Sequence, residues 1–175
     1  SSGTMKDYKI MHAQLDALEY SRKATLISVA KGKVILDGTD TANRLNIDGG
    51  SSKTGIDNIA IYAGAIGALP GTTVSEVESY IPLTITNSDL STAIFGEKRG
   101  EITNNGNIIL GDSIINPNDI TQSTYAIGVY GKASEIKNTG NIKLGANSVG
   151  IYSDYNTTEA QNTGDIESSS YGAIG

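Results

Sequence analysis

Residues 49–54 are the stretch whose residue types come nearest to a familiar chemistry. They read Gly-Gly-Ser-Ser-Lys-Thr, and glycines followed by a lysine and a threonine are typical of loops that bind nucleotide phosphates. Such a loop needs a glycine directly before the lysine, where this chain has Ser52, and it must lead into a helix. No strand-to-helix pattern follows, so we predict a surface turn.

The only histidine of the chain, His12, lies in a segment of helical periodicity. A catalytic or metal-binding histidine needs acidic partners on its own face of the helix. His12 has Asp16 four residues further on, which is more typical of an ordinary helical pair. We therefore predict no catalytic or metal-binding role for it.

Two loops hold oxygen-bearing side chains at close spacing. One includes Asp112, Asn118 and Asp119, and the other includes Asp154, Asn156 and Glu159. Calcium takes several oxygen ligands from loops of this kind, but neither spacing matches a standard calcium loop. Turns are the favoured interpretation, and no metal or other cofactor is predicted. The weak candidates for binding are Asp112, Asn118, Asp119 and Tyr155.

Composition excludes several classes of partner. The net charge is −6, with 19 acidic and 13 basic residues, and this balance disfavours nucleic acid or an anionic membrane surface. The longest apolar run, 59–69, is about half of what a membrane span needs and contains two glycines. Cysteine is absent, so neither a disulfide framework nor a thiolate metal site is possible.

The elements that would position any site form a repeat. Asn104, Asn138 and Asn162 each lie two residues before a glycine and four before an isoleucine. A second motif recurs at 59–62, 92–95, 127–130, 149–152 and 171–174. Laid in register, it gives a mixed apolar column, a small-residue column that includes Gly128, Gly150 and Gly172, an aliphatic column, and a largely aromatic column that includes Tyr62, Tyr130 and Tyr152.

Two orientations of these columns are open. Side chains alternate along a strand, so the first and third columns would share one face and the second and fourth the other. We expect the aliphatic columns to point inward and the small and aromatic ones outward. The reverse arrangement is the alternative, because glycine beside tyrosine also packs well inside a narrow core.

The spacing of the repeats predicts a parallel β-helix. The interval from Gly128 to Gly150 is 22 residues, and the same interval leads to Gly172. Short strands broken by turns at such a period suit coils stacked about 4.8 Å apart, which places identical residues above one another. The recurring asparagines are then expected to form a ladder of side-chain amide hydrogen bonds. Longer intervals upstream indicate insertions near 65–80 and 112–123.

The chain before residue 24 has a different period. In residues 6–22 the apolar side chains of Tyr8, Met11, Leu15 and Leu18 fall on one helical face. We predict an amphipathic helix that caps the solenoid, with a partner-binding helix as the alternative. The organisation is thus an all-β fold of about five coils over 24–175, preceded by a helix within 1–23. The chain ends within a repeat, from which we expect a piece of a longer protein.

These repeats resemble a known family. Asn-Thr-Gly-Asn-Ile at 138–142, followed by Ser-Val-Gly-Ile-Tyr-Ser at 148–153, is similar to passenger repeats of large bacterial autotransporter adhesins of the type V secretion class, especially the fusobacterial ones. The resemblance covers 80–175 closely and 34–64 loosely. It implies a right-handed parallel β-helix displayed on the bacterial surface and anchored to the outer membrane. Such proteins attach to host cells, to other bacteria or to glycans. No binding residue can be carried over, because the repeated positions are structural.

Three functions follow as hypotheses. The first is a structural and adhesive segment that is not an enzyme, binds a surface protein or glycan of a host cell or bacterium, and does so through its insertions. Tyr130, Tyr152 and Tyr155 could stack on a sugar, although column packing competes for the first two. The second is a polysaccharide lyase or hydrolase, but the three arginines are scattered and no carboxylate pair recurs near one. The third is a spacer without a ligand.

Overall fold

The computed structural model describes residues 7–10, 14–17, 24–48, 55–56, 58–64, 75–86, 88–113, 125–154 and 159–175. In these ranges the chain is all-β and contains no helix. Three sheets of six, six and five strands contain all but two of the described strands, and every strand pairs in parallel with its neighbours. The predicted parallel β-helix is confirmed.

The sheets are built as follows. The first sheet contains β1 (Asp7–Ile10), β4 (Gly32–Leu36), β8 (Ser75–Ser79), β12 (Gly100–Asn104), β15 (Glu135–Asn138) and β18 (Glu159–Asn162). The second contains β2 (Gln14–Ala17), β5 (Arg44–Asp48), β9 (Leu83–Thr86), β13 (Ile108–Leu110), β16 (Ile142–Leu144) and β19 (Ile166–Ser168). The third contains β3 (Thr25–Val29), β7 (Ile59–Gly64), β11 (Thr92–Glu97), β14 (Ala126–Lys132) and β17 (Ser148–Asp154). A separate short pair joins β6 (Gly55–Ile56) to β10 (Ser88–Asp89).

Each coil takes one strand from each sheet in turn. The fourth coil, for example, is β12, β13 and β14, and the fifth is β15, β16 and β17. The described strands form six coils, the last of which is closed by an isolated bridge between Val149 and Ile174. This is one coil more than the sequence predicted, because the N-terminal segment supplies the first.

The predicted N-terminal helix is wrong for the residues of that segment that the structure describes. β1 pairs with β4 and β2 pairs with β5, so that Leu15 is in register with Leu45, and Ala17 with Ile47. Apolar residues spaced for a helix also alternate in these two short pieces, and pairing with the next coil selects the strand. The remainder of 6–22, including His12, lies outside the described residues.

The core consists of aliphatic side chains from all three sheets. In the third sheet the aliphatic column points inward as predicted, and Ile61, Ile94 and Val129 are fully buried. The small-residue column also points inward, contrary to the expectation: Ala60 and Ala93 are buried. The strands therefore bend between the second and third columns, so that two successive residues face the core.

The bend explains why small residues occupy the second column. A Cβ atom at Gly128 would lie 2.6 Å from the carbonyl oxygen of Gly150 and 3.5 Å from Cγ2 of Ile142, and one at Gly150 would lie 3.1 Å from Cγ2 of Ile166. The column thus faces isoleucines of the second sheet across a narrow interior. The first column, on the outer side of the bend, is partly buried at Ile59, Ile127 and Val149 and buried at Thr92, whose exposure is 6%.

Gly172 does not belong to the small-residue column. The bridge between Val149 and Ile174 puts Gly175, not Gly172, beside Gly150. Gly172 has a φ of +74°, and a Cβ atom there would lie 2.1 Å from Oδ1 of Asn147, whose own φ is 54°. Both residues have a left-handed backbone conformation at the corner that precedes the third sheet. Glycine and asparagine adopt this conformation most readily. The last coil is therefore longer than the predicted period.

The two predicted insertions begin and end differently in the structure. Ser75–Ser79, assigned by sequence to the first insertion, is a strand of the first sheet. Asp112 and Ser113, assigned to the second, form a corner of the coil, where the Ser113 amide donates to the Ala146 carbonyl at 2.8 Å. Residues 65–74 and 114–124 lie outside the described residues.

Candidate functional site

The three outer faces of the β-helix differ in chemistry. The third sheet carries an aromatic row, which we define as Tyr62, Phe95, Tyr130 and Tyr152. The first sheet carries a glutamate row, defined as Glu76, Glu101, Glu135 and Glu159. The outer face of the second sheet is mixed and includes Thr84, Ile109 and Lys143.

The rings of the aromatic row pack on one another along the helix axis. Phe95 and Tyr130 are stacked, with centroids 4.7 Å apart and planes 11° from parallel. Tyr62 meets Phe95 edge to face at 5.6 Å, and Tyr152 meets Tyr130 at 5.2 Å with a tilt of 56°. Contacts of this geometry contribute about 0.5–1.5 kcal/mol each beyond the burial of area.

Two hydroxyl groups of the row are hydrogen-bonded to carboxylates. The Tyr62 hydroxyl donates to Oε2 of Glu97 at 3.0 Å, and the Tyr130 hydroxyl donates to Oδ2 of Asp154 at 3.3 Å. Burial, followed by this contact with Glu97, raises the pKa of Tyr62 to about 12. Burial, followed by the charge of Asp154, also raises the pKa of Tyr130. Both tyrosines therefore stay protonated over the physiological range.

This packing bears on the sugar-stacking hypothesis. A sugar stacks on the face of a ring, and the faces of Phe95 and Tyr130 are turned towards each other. Tyr152, which is 47% exposed, is the most accessible ring of the row. The geometry favours column packing for Tyr130, while Tyr155 lies outside the described residues.

The predicted asparagine ladder is present at the corner between the first and second sheets. Nδ2 of Asn104 donates to Oδ1 of Asn138 at 2.7 Å, and Nδ2 of Asn138 donates to Oδ1 of Asn162 at 2.7 Å. Each amide also donates at 2.7 Å to the carbonyl of the glycine two residues on. Asn104 and Asn138 are buried, so these bonds satisfy groups that would otherwise be costly to bury.

The glycines of the same corner are required by close approach. A Cβ atom at Gly140 would lie 2.0 Å from the carbonyl oxygen of Gly106, and one at Gly164 would lie 2.2 Å from that of Gly140. The asparagine–glycine spacing seen in the sequence is therefore a corner motif. It holds the coils together, and its buried members Asn104 and Asn138 are hydrogen-bonded within it.

The glutamate row is the feature that sequence reasoning missed. The sequence does contain a pattern that indicates it: Glu101, Glu135 and Glu159 each lie three residues before an asparagine of the ladder. Two lysines flank the row. Nζ of Lys33 lies 3.8 Å from Glu76, and Nζ of Lys137 lies 2.9 Å from Glu135.

Glu101 is at the centre of the row, between two other glutamates. Burial, followed by the charges of Glu76 and Glu135, raises the pKa of the Glu101 carboxyl. Lys137 and Lys33 act in the opposite direction but more weakly. Like charges opposite one another on paired strands are destabilising, so the row opposes stacking at neutral pH.

A surface cavity of about 460 Å³ lies at the corner of the second coil. It is lined by Ile35, Asp37, Gly38, Thr39 and Tyr80. The corner is longer here than in the later coils, and Asp37 shapes it by accepting a hydrogen bond from the Thr39 amide at 2.7 Å. No sequence motif pointed to it.

The sequence-predicted binding residues are not brought together among the described residues. Oδ1 of Asp112 accepts a hydrogen bond from the Ala146 amide at 2.7 Å, which is a corner contact between coils. Asn118, Asp119 and residues 49–54 lie outside the described residues. No cluster of three or more histidine, cysteine, aspartate or glutamate residues that could hold a metal ion occurs in the part of the chain that the structure describes.

Comparison with protein-family models, characterised proteins and solved structures found no match to this chain. In the described ranges, no helix is long and apolar enough to cross a membrane.

Proposed function

We propose that this chain is a structural and adhesive segment of a bacterial cell-surface protein, in which stacked coils form a rod and the inserted loops carry recognition. The observation that supports it is the in-register stacking of coils whose repeated residues are engaged with each other. The aromatic row and the asparagine ladder hold coil to coil. Recognition is then left to segments that depart from the repeat, as is usual in solenoids.

The second insertion gives the sharpest test, because the next coil shows how to remove it. Residues 114–125 separate Ser113 from Ala126, whereas the corresponding corner of the fifth coil joins Asn147 directly to Ser148. Deleting 114–125 together with Ser113→Asn should therefore close the fourth coil in the conformation of the fifth. A matched control keeps the length and shuffles the order of 114–125.

The first insertion is removed in the same way. Residues 65–74 lie between Gly64 and Ser75, positions in register with Glu97 and Gly100. Those two are joined by the pair Lys98-Arg99 alone, so Lys-Arg is the natural replacement for 65–74.

Binding of the purified chain and of these variants to bacterial cells, epithelial cells and a glycan array is the measurement. We expect binding by the parent chain, loss of binding on one of the deletions and on the corresponding shuffle, and unchanged circular dichroism. Binding that survives both deletions would move the site to the rod itself. Absence of binding by the folded parent chain would overturn adhesion and leave the function of a spacer.

A further inference from the structure

The glutamate row places four carboxylates on consecutive coils of one sheet face. Strand pairing puts Glu76 beside Glu101, Glu101 beside Glu135, and Glu135 beside Glu159. Neighbouring strands of a sheet are about 4.8 Å apart, so each backbone position repeats at that distance along the row. In the unfolded chain the same residues are separated by 24 to 34 positions, and their mutual repulsion is largely a property of the folded state.

The charged groups around Glu101 come from several strands. β8 supplies Glu76 and Glu78, and β15 supplies Glu135 and Lys137. Beyond them, β4 supplies Lys33 and β18 supplies Glu159. β11 and β7 of the third sheet also pack against β12, and there Glu97 of β11 accepts the hydroxyl of Tyr62 of β7.

The lysines neutralise the flanks of the row more than its centre. Nζ of Lys33 lies 3.0 Å from Glu78, and Nζ of Lys137 lies 2.9 Å from Glu135. Counting Glu78, the described side chains of β4, β8, β12, β15 and β18 include five carboxylates and two ammonium groups on this face, which leaves a charge of −3 when all are ionised. Glu101 stands between Glu76 and Glu135 and is partly withdrawn from solvent.

We propose that the glutamate row makes the stacking of the coils sensitive to pH, with protonation of Glu101 at mildly acidic pH relieving the repulsion between the third, fourth and fifth coils. The direction follows from linkage. A carboxyl whose pKa is raised on folding binds its proton more tightly in the folded state, so stability rises as pH falls through the folded pKa towards the unfolded one. At neutral pH this contribution is absent and the repulsion remains. The inference rests on the fold and is independent of the proposed function.

Glu101→Gln tests the proposal because it removes the charge and keeps the shape. The matched control is Glu167→Gln, on the outer face of the second sheet beside Lys143. At about pH 7 we expect Glu101→Gln to raise the Tm of the whole chain by about 2–4 °C over the parent, a size equivalent to about 1 kcal/mol in a chain of this length. The difference should shrink towards zero near pH 4, where the glutamate is protonated.

A second variant and a direct titration separate this effect from a general change in packing. Lys137→Gln removes a flanking positive charge and should widen the difference between the Tm values at acidic and neutral pH. Carbon NMR titration of the side-chain carboxyls should place the midpoint for Glu101 above the ordinary value of a glutamate. A Tm difference that is the same at every pH, or a Glu101 midpoint no higher than that ordinary value, would overturn the proposal.

Discussion

Phe95 lies one coil before Lys132, at the place where the aromatic row lacks a hydroxyl group. The tyrosines before and after it in the row, Tyr62 and Tyr130, each donate their hydroxyl to a carboxylate two positions beyond the next ring. After Phe95 that position holds Lys132, whose ammonium group is a donor and cannot accept. The row has three contacts between successive rings. At two of them a tyrosine hydroxyl has a carboxylate acceptor on the next coil, and at the third both the hydroxyl and the acceptor are missing.

This relationship predicts a favourable coupling between two substitutions. Phe95→Tyr alone adds a hydroxyl that can accept from the Lys132 ammonium group but finds no acceptor there for its own proton. Lys132→Gln alone adds an acceptor opposite a ring that has no hydroxyl to donate. Together they should form a third hydroxyl contact between coils, with a coupling energy of about 0.5–1 kcal/mol in a double-mutant cycle. Urea unfolding of the four proteins measures it. Pairing Phe95→Tyr with the distant Lys143→Gln should give no coupling, and a zero result for Lys132→Gln as well would refute the pattern.

The asparagine ladder should be worth more than an ordinary surface amide. Asn138→Ala removes the middle of the ladder and leaves Asn104 and Asn162 each without one partner. We expect a loss of about 2–3 kcal/mol in the free energy of unfolding, because Asn138 is buried. The matched control is Asn141→Ala in the same coil, where an exposed side chain accepts one bond from the Asp165 amide at 3.1 Å. It should cost at most about 1 kcal/mol, and equal losses would contradict the ladder's importance.

The two kinds of glycine that recur in the repeat should respond differently to a methyl group. Gly140→Ala would push a Cβ atom to 2.0 Å from the backbone oxygen of the preceding coil, and we expect it to cost about 3 kcal/mol or more. Gly150→Ala meets a side-chain methyl group at 3.1 Å, in a column that holds alanine in earlier coils. Its effect should stay within about 1 kcal/mol. Thermal unfolding of both variants decides this, and a Gly150→Ala loss as large as that of Gly140→Ala would disprove it.

Much of the architecture could be predicted because a β-helix repeats its contacts. Aligning the repeats once predicts both the asparagine ladder and the inward aliphatic column. The hydrogen bond to Asn138 and the burial of Val129 were therefore predictable from the same alignment. The N-terminal strands could not be found in this way. Leu15 satisfies a helical pattern in its own segment, and only its pairing with Leu45 on the next coil selects the strand.

The errors at the corners have a common cause, which is that corners break strict alternation. The bend between the second and third columns turns Ala93 and Ile94 inward together, and no period of two predicts that. In the last coil the longer corner shifts the register, so that Ile174 and not Tyr171 meets Val149. The candidate loops remain predictions, because the recognition assigned to Asn118, Asp119 and Tyr155 depends on residues that no repeat constrains.

The start of the ladder offers a stabilising change. Ser79 lies beside Asn104 on the preceding coil. The Ser79 hydroxyl and Oδ1 of Asn104 are both buried without a hydrogen-bond partner among the described residues. Ser79→Asn should extend the ladder by one step, since its amide could donate both to Oδ1 of Asn104 and to the Ile81 carbonyl. We expect a gain of about 1 kcal/mol in the free energy of unfolding. The control is Ser75→Asn, a buried serine of the same strand that faces Gly100 and should gain nothing.

The gain must also depend on the ladder. In an Asn104→Ala background the acceptor is gone, so Ser79→Asn should no longer stabilise the chain. Urea unfolding of the two single variants and the double variant measures this dependence. A gain that persists without Asn104 would show that the new side chain only fills space, whereas a loss in the parent chain would show that Leu36, its neighbour on the preceding coil, leaves no room for it.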